Sequence, residues 1–186
     1  MPPIVRPSNR DKILEAAMNL VRDQGVGKLT LDAAAKMAGV SKGGVLYHYP
    51  SKNALVRAMV ARVIEQWETL HASHLENEPL GPNRWMRAAV HAFFDTDSPC
   101  CKDPLGSALL AGLAHDPDLI DPLRAKYREW MEQSMKESPN PSLMGVIGLM
   151  GDGLVLHQLI GLDVLDADAR ASIKQAALDL LKQKDQ

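Results

Sequence analysis

The chain is poor in the features that mark secreted, membrane or catalytic proteins. Its 186 residues hold two cysteines, adjacent at Cys100 and Cys101. A vicinal pair rarely forms a structural disulfide, and two thiols with no further Cys or His at ligand spacing make a poor metal site, so both are expected in a loop or at a helix start. The first nine residues carry prolines and an arginine but no apolar stretch, and no run approaches the length of a membrane span, which points to the cytoplasm. There is no Gly-x-Ser-x-Gly, no helix with a convincing set of metal ligands and no cysteine beside a histidine, so no catalytic constellation emerges. The glycine-rich run from Leu143 lacks the preceding strand and the Lys-Ser/Thr of a phosphate loop. The expectation is a protein that is not an enzyme and has no metal or cofactor.

What is present is an ordinary globular composition, 46% hydrophobic and 24% charged, long enough to bury a proper core. The net charge of −2 conceals an asymmetry. Residues 1–57 hold nine Lys/Arg against four Asp/Glu, giving +5, and the remainder holds twelve against nineteen, giving −7. A basic head on an acidic body suits a protein that docks on nucleic acid with one end only.

The basic part contains the most informative stretch, Thr30 to Lys52. Thr30 is a good N-cap, Asp32 complements the helix dipole, and Leu31, Ala34, Ala35 and Ala38 recur at helical spacing, which predicts a short helix over Leu31–Ala38. Gly39 stands where a left-handed residue would close it, and Ser41 can cap the next helix. In that second helix Val45 and Tyr49 point inward together, leaving Lys42, Gly44, Leu46, Tyr47 and His48 nearer the outer face. Pro50 ends it, Ser51 caps a further helix and Lys52 enters the first turn of that helix. Two helices joined by a three-residue corner form a helix-turn-helix, whose second helix is offered to the major groove. Before it, Ser8 and Asp11 make a capping-box-like start for a helix ending near Gly25, with Ile13, Ala17, Leu20 and Val21 on one face. Arg6 and Arg10 lie near enough to reach phosphates, although solvation is the simpler role.

The run G-V-S-K-G-G-V-L-Y-H-Y-P-S-K, with L-T-L-D-A-A-A-K-M-A before it and a long amphipathic helix after it, resembles the DNA-binding domain of the tetracycline-repressor (TetR) family of bacterial transcription regulators, from about Arg10 to Ala61. One departure is visible: the family's usual phosphate-binding tyrosine aligns with Leu46, and Tyr47 falls one place later. The resemblance implies an all-α chain of about nine helices. Residues 1–52 would form the DNA-binding domain and 53–186 a helical effector-binding and dimerisation domain. The DNA-contacting set is then Thr30, Ser41, Lys42, Gly43, Gly44, Leu46, Tyr47, His48 and Lys52, on double-stranded operator DNA.

Beyond the head, Leu55, Met59, Val63, Trp67 and Leu70 predict a helix to about His74, roughly 35 Å long at 1.5 Å per residue. His71 and His74, three apart, are expected to face solvent rather than a metal. Helices are predicted over Arg84–Phe94, with Trp85, Ala88, Ala89, Ala92 and Phe93 on one face, over Leu105–Ala114 and over Asp118–Met135. The glycine-rich run reads as a helix packed tightly on a neighbour. Asp166 caps a last helix with a stripe of Ile173, Ala176, Ala177, Leu180 and Leu181. The two C-terminal helices could pair with their copies as a four-helix bundle in a homodimer, setting two recognition helices roughly 34–36 Å apart on a palindrome. Trp85, His91, Phe93, Phe94, Leu109, Leu110, Trp130, Met131, Met150 and His157 could line a pocket for a small, largely apolar effector, or they could simply form core. Two other readings stay open: a dimeric DNA-binding protein without a ligand, and an all-helical enzyme using His91 or His157.

Overall fold

The computed structural model describes residues 8–95, 103–113, 116–162 and 164–182. Among these there are nine α-helices and no strand: α1 Asn9–Gln24, α2 Leu31–Ala38, α3 Lys42–His48, α4 Lys52–Asn77, α5 Arg84–Phe93, α6 Leu105–Leu113, α7 Asp121–Lys136, α8 Pro141–Leu159 and α9 Ala167–Lys182. They group into two compact units, one within Met1–Val63 and Asp103–Pro122, the other within Ile64–Lys102 and Leu123–Gln186. The divisions fall inside α4 and α7. Cys100 and Cys101, like Arg6, lie outside the described residues.

In the first unit the helix boundaries follow from side-chain caps. The Ser8 hydroxyl accepts from the Asp11 amide at 3.1 Å, Thr30 from Ala33 at 3.0 Å, Ser41 from Gly44 at 3.1 Å and Ser51 from Ala54 at 3.1 Å. Each satisfies one donor left over at a helix start, a contribution of about 1 kcal/mol. Gly39 closes α2 in the left-handed region at φ 67° and ψ 33°, where a side chain would be strained. The core is the inner face of α1 (Ile13, Leu14, Ala17, Met18, Val21) with Leu29, Ala34, Ala35, Val45, Tyr49, Leu55 and Met59. Each large side chain here contributes about 2 kcal/mol by leaving water.

Helix α6 packs on α1 in the same unit. An ion pair fastens it there: Arg22 donates from Nε and Nη2 to the two Asp103 oxygens at 2.9 and 2.6 Å. The guanidinium lowers the Asp103 pKa, and the carboxylate raises that of Arg22. Two further links tie the start of α4 to the segment after α6: Asn53 donates to Asp116 at 2.8 Å, and Arg57 meets Asp121 at 3.7 Å.

In the second unit α5 packs against both α8 and α9. Five consecutive residues, Met86 to Val90, are buried along with Ala92. The alanine face foreseen from the sequence is therefore only part of what is covered. Met86 and Val90 enter the core with Met144, Ile147, Ala177, Leu178 and Leu181, because small residues let neighbouring helices approach α5 from more than one side. Arg87 is buried too, and it satisfies the connection before α5 by donating to the Glu78 carboxylate and the Pro79 carbonyl, each at 2.6 Å, and to the Pro82 carbonyl. At Gly151 of α8 an added Cβ would stand 2.3 Å from Phe93 Cε2. The glycine there is required by the approach of that ring.

Three expectations are corrected. Helix α4 runs to Asn77, three residues past His74, since no breaker precedes Pro79. Helix α8 is long and apolar enough, by length and composition, to cross a membrane, contrary to the reading that no run approaches that length. Mid-helix, however, its Asp152 accepts a hydrogen bond from the Tyr127 hydroxyl. In α9 the buried residues are Ala177, Leu178 and Leu181. Ala176 and Leu180 of the expected stripe are exposed, because α5 covers a face turned by about one residue.

Candidate nucleic-acid interface and effector cavity

Helices α2 and α3 carry the residues expected at DNA. Val45 and Tyr49 are buried and hold α3 against the unit, and the Tyr49 hydroxyl donates to the Arg10 carbonyl at 3.3 Å. The Arg10 guanidinium lies 5.6 Å from the centre of the Tyr49 ring, a cation–π contact that orients the start of α1. With that face fixed inward, α3 turns Tyr47 outward to 84% exposure and Leu46 to 42%. The Tyr47 ring meets His48 edge-on at 4.9 Å. Lys42 reaches back to Asp32 with 2.9 Å between Nζ and Oδ2, both side chains exposed. Thr30 and Ser41 use their hydroxyls as caps and lie at the surface, Gly43 is exposed, Gly44 is half-buried, and Lys52 stands half-buried in the first turn of α4. A groove of about 420 Å³ runs past Asn9, Ile13, Val40, Ser41, Gly44, Tyr47 and His48. All nine residues expected at DNA therefore belong to the same unit and cluster around α2, α3 and the start of α4.

The glycines of α3 are informative. Neither has a positive φ. A Cβ on Gly43 would meet nothing closer than 3.9 Å, and one on Gly44 nothing closer than 3.4 Å. Packing inside the protein does not demand them, although each weakens a seven-residue helix by roughly 1 kcal/mol relative to alanine.

The expected pocket residues are divided. Leu109 and Leu110 lie in α6 of the first unit, and the others lie in the second. Phe93, Phe94, Met150 and Trp85 pack half-buried on the α5–α8–α9 core. Met131 is half-buried on α7, and His157 half-buried on the last turns of α8. His91 faces Glu78 at 3.6 Å, and burial lowers its pKa.

A cavity of about 330 Å³ does open in the second unit, lined by Trp67, Glu68, His71, Trp85, Glu129, Trp130 and Gln133. Only Trp85 and Trp130 of this set were anticipated. His71, expected in solvent, is 5% exposed. It is stacked on Trp67 at 5.2 Å, lies 4.4 Å from Trp85, and donates from Nε2 to the Trp85 carbonyl at 3.0 Å. Burial pushes its pKa down. His74 also has a partner, Asp95 at 3.2 Å. Among the described residues no three His, Cys, Asp or Glu side chains converge as a metal site. The overlooked signal was positional: Trp67 and His71 lie four apart on α4 and share a face, and the three tryptophans fall on three different helices.

Comparison with known proteins matches two stretches of the chain to one family. Residues 13–59 match the model of bacterial regulatory proteins of the tetR family, and residues 83–182 match the tetracyclin repressor-like C-terminal domain. The transcriptional regulator EthR of Mycobacterium tuberculosis is 32% identical over 96 residues, which cover 49% of this chain and 44% of EthR, so the match spans less than half of that relative. The regulator BetI of Pseudomonas fluorescens is 25% identical over 188 residues, covering 95% of this chain and 94% of BetI. The crystal structure of the multidrug binding protein EbrR complexed with imidazole superposes with a TM-score of 0.70 at 18% identity, covering 97% of this chain and 94% of that one. With family models matched at both the head and the larger part of the body, the chain belongs to the tetR family of bacterial regulatory proteins.

Proposed function

We propose that the protein is a ligand-responsive repressor that binds a palindromic operator as a homodimer and leaves it when a small molecule occupies the body. Residues 1–52 serve DNA binding, and residues 53–186 serve effector binding and dimerisation. Helix α3 enters the major groove, with Thr30, Ser41, Lys42, Gly43, Gly44, Leu46, Tyr47, His48 and Lys52 at the surface of the duplex. The observation that carries this reading is the exposure of Tyr47 on a helix whose two glycines have no internal reason. An aromatic hydroxyl projecting into solvent beside backbone free of side chains is suited to close approach by a phosphate backbone. Lys42 would exchange Asp32 for phosphate, and Lys52 would add a charge-only contact.

Dimerisation through α8 and α9 is supported by the apolar side chains left uncovered there: Val146, Leu149 and Leu156 on α8, Ile160 just past its end, and Leu180 on α9. Isolated exposed leucines are commonplace, but several on one helix favour a partner surface. The cavity supports an effector site, since it lies within the usual range for small ligands and combines aromatic walls with a few polar groups. EbrR, of the same fold, is a multidrug binding protein. An effector lowers operator affinity only insofar as it prefers the conformation that fits DNA poorly.

In vitro selection of bound duplexes from a random pool tests the reading. A two-fold symmetric consensus is expected, together with a dimer in sedimentation and a monomeric, weakly binding Leu149→Arg variant. A monomeric wild-type chain that is indifferent to any duplex at low ionic strength would end it.

A further inference from the structure

The cavity in the second unit brings together all three tryptophans of the chain. The Trp67 ring centre lies 4.4 Å from that of Trp130 and 6.2 Å from that of Trp85, with planes inclined at 46° and 48°. Rings set at such angles border a shared space with π faces as well as edges. The remaining lining is anionic or neutral: Glu68 and Glu129 supply carboxylates, Gln133 an amide and His71 an imidazole. No lysine or arginine is among the described lining residues. Burial favours the neutral form of His71. A third carboxylate, Glu137, stands behind the wall, accepting from the Trp85 amide at 3.0 Å and from Gln133 at 2.7 Å.

One cation already marks the spot. Lys126 Nζ sits between Glu68 and Glu129, at 3.0 and 2.8 Å from their oxygens. The two carboxylates therefore accommodate an ammonium between them. Glu129 is mostly exposed and the Lys126 and Glu68 side chains are about one-third exposed, so this arrangement can be undone without unpacking the core.

Indole faces attract cations through the ring quadrupole, Trp more than any other side chain, and nearby carboxylates add to the same field. A neutral apolar ligand would use the indoles and leave the carboxylates idle, and an anion would be repelled by Glu68, Glu129 and Glu137. We propose that the cavity binds an organic cation of the alkylated ammonium type, its apolar body against Trp67, Trp85 and Trp130, its charge toward Glu68 and Glu129, with Lys126 displaced. This inference names the effector class for the cavity assigned above and rests on that assignment.

The full-length protein is titrated with tetraethylammonium and with its uncharged counterpart triethylcarbinol. Binding is followed by tryptophan fluorescence, which reports on this cavity because every tryptophan lines it. The cation is expected to bind saturably and at least about tenfold more tightly than the carbinol. Glu129→Gln should weaken the cation several-fold and leave the carbinol unchanged, and Lys126→Ala, which removes the internal competitor, should strengthen the cation. Equal or tighter binding of the carbinol overturns the cation proposal and leaves an effector site for neutral molecules. Absence of cation binding, or cation binding indifferent to both variants, overturns the proposal as well. If the cation binds as expected but operator affinity does not change, the cation site stands and the effector reading falls.

Discussion

The two units are specified in different ways. In the first, each of α1 to α4 begins at a serine or threonine whose hydroxyl accepts an amide three residues on, and the corner between α2 and α3 is made by one left-handed glycine. In the second, α5 begins at Asn83, which is itself left-handed at φ 58° and has no side-chain cap. Its side-chain amide instead donates to the Leu181 carbonyl, 98 residues away, at 3.0 Å. Caps of the head's kind also open α8 and α9, where Asn140 accepts from the Leu143 amide at 3.2 Å and Asp166 from the Ala169 amide at 2.8 Å, so the contrast is sharpest at α5, whose start is held by a contact that exists only once distant helices have met.

The largest effect should come from breaking a long-range node. Arg87→Met leaves the Glu78 carboxylate and the Pro79 and Pro82 carbonyls without their donor inside the body. We expect a loss of about 3 kcal/mol in urea unfolding followed by tryptophan fluorescence. Its counterpart in the head is the Arg22–Asp103 pair, each side chain about one-fifth exposed. Asp103→Ala should cost about 2 kcal/mol. Gly151→Ala should cost about 1–2 kcal/mol, because the Phe93 ring must yield to the new methyl group. A neutral Gly151→Ala would show that α8 is held more loosely than the Phe93 approach implies.

Local determination explains what could be read in advance. Ser8, Thr30, Gly39, Ser41, Pro50 and Ser51 announce helix ends by their own chemistry, so α1 to α3 follow from the sequence to within a residue. Val45 and Tyr49 are buried, and Tyr47 and Leu46 exposed, as the helical spacing required. The body yields less. Periodicity locates its helices but cannot say which residue on α4 meets which on α5 or α7. Thus the sequence reads Trp67 as one more residue in an apolar stripe and His71 as a surface histidine, whereas with Glu68 and Glu129 they surround one space. Leu110 was grouped with the aromatics by composition alone, and its helix belongs to the head unit.

Smaller effects separate surface from scaffold within the head. Tyr47→Ala removes a side chain that is 84% exposed, so the melting temperature should hold while operator affinity falls about tenfold in fluorescence anisotropy. Thr30→Ala should lower both, costing about 1 kcal/mol of stability through the lost cap while operator affinity also falls, since Thr30 stands at the duplex in the proposed docking. If Tyr47→Ala lowered stability and spared affinity, the outward face of α3 would have been misassigned.

Acid should distinguish the units most gently, and in a definite order. In the body, burial lowers the pKa of His71 first and foremost, offset in part by the Trp85 carbonyl and by Glu137 and Glu68, and it lowers that of His91 too. Unfolding restores the ordinary histidine value of about 6.5. The unfolded chain therefore binds more protons than the folded one as the pH drops below that value. The stabilisation from neutral histidines is complete above about pH 6.5 and fades as the pH falls through the lowered folded values. In the head the shifted groups that titrate in acid are carboxylates: Asp103, lowered by Arg22, and Asp11, lowered by the Ser8 hydroxyl. Their contribution persists above the ordinary carboxylate value of about 4 and is lost only below it. Between those two values the body should soften while the head does not. Tryptophan fluorescence reads the body alone, since Trp67, Trp85 and Trp130 all lie there. Operator binding by the His71→Gln variant provides a check on the head. That variant keeps a side-chain donor for the Trp85 carbonyl but cannot titrate, so its fluorescence-monitored stability should depend less on pH between about 6.5 and 5 than that of the wild type. An unchanged pH dependence would mean that the imidazole stacked on Trp67 is not what makes the body the acid-sensitive half.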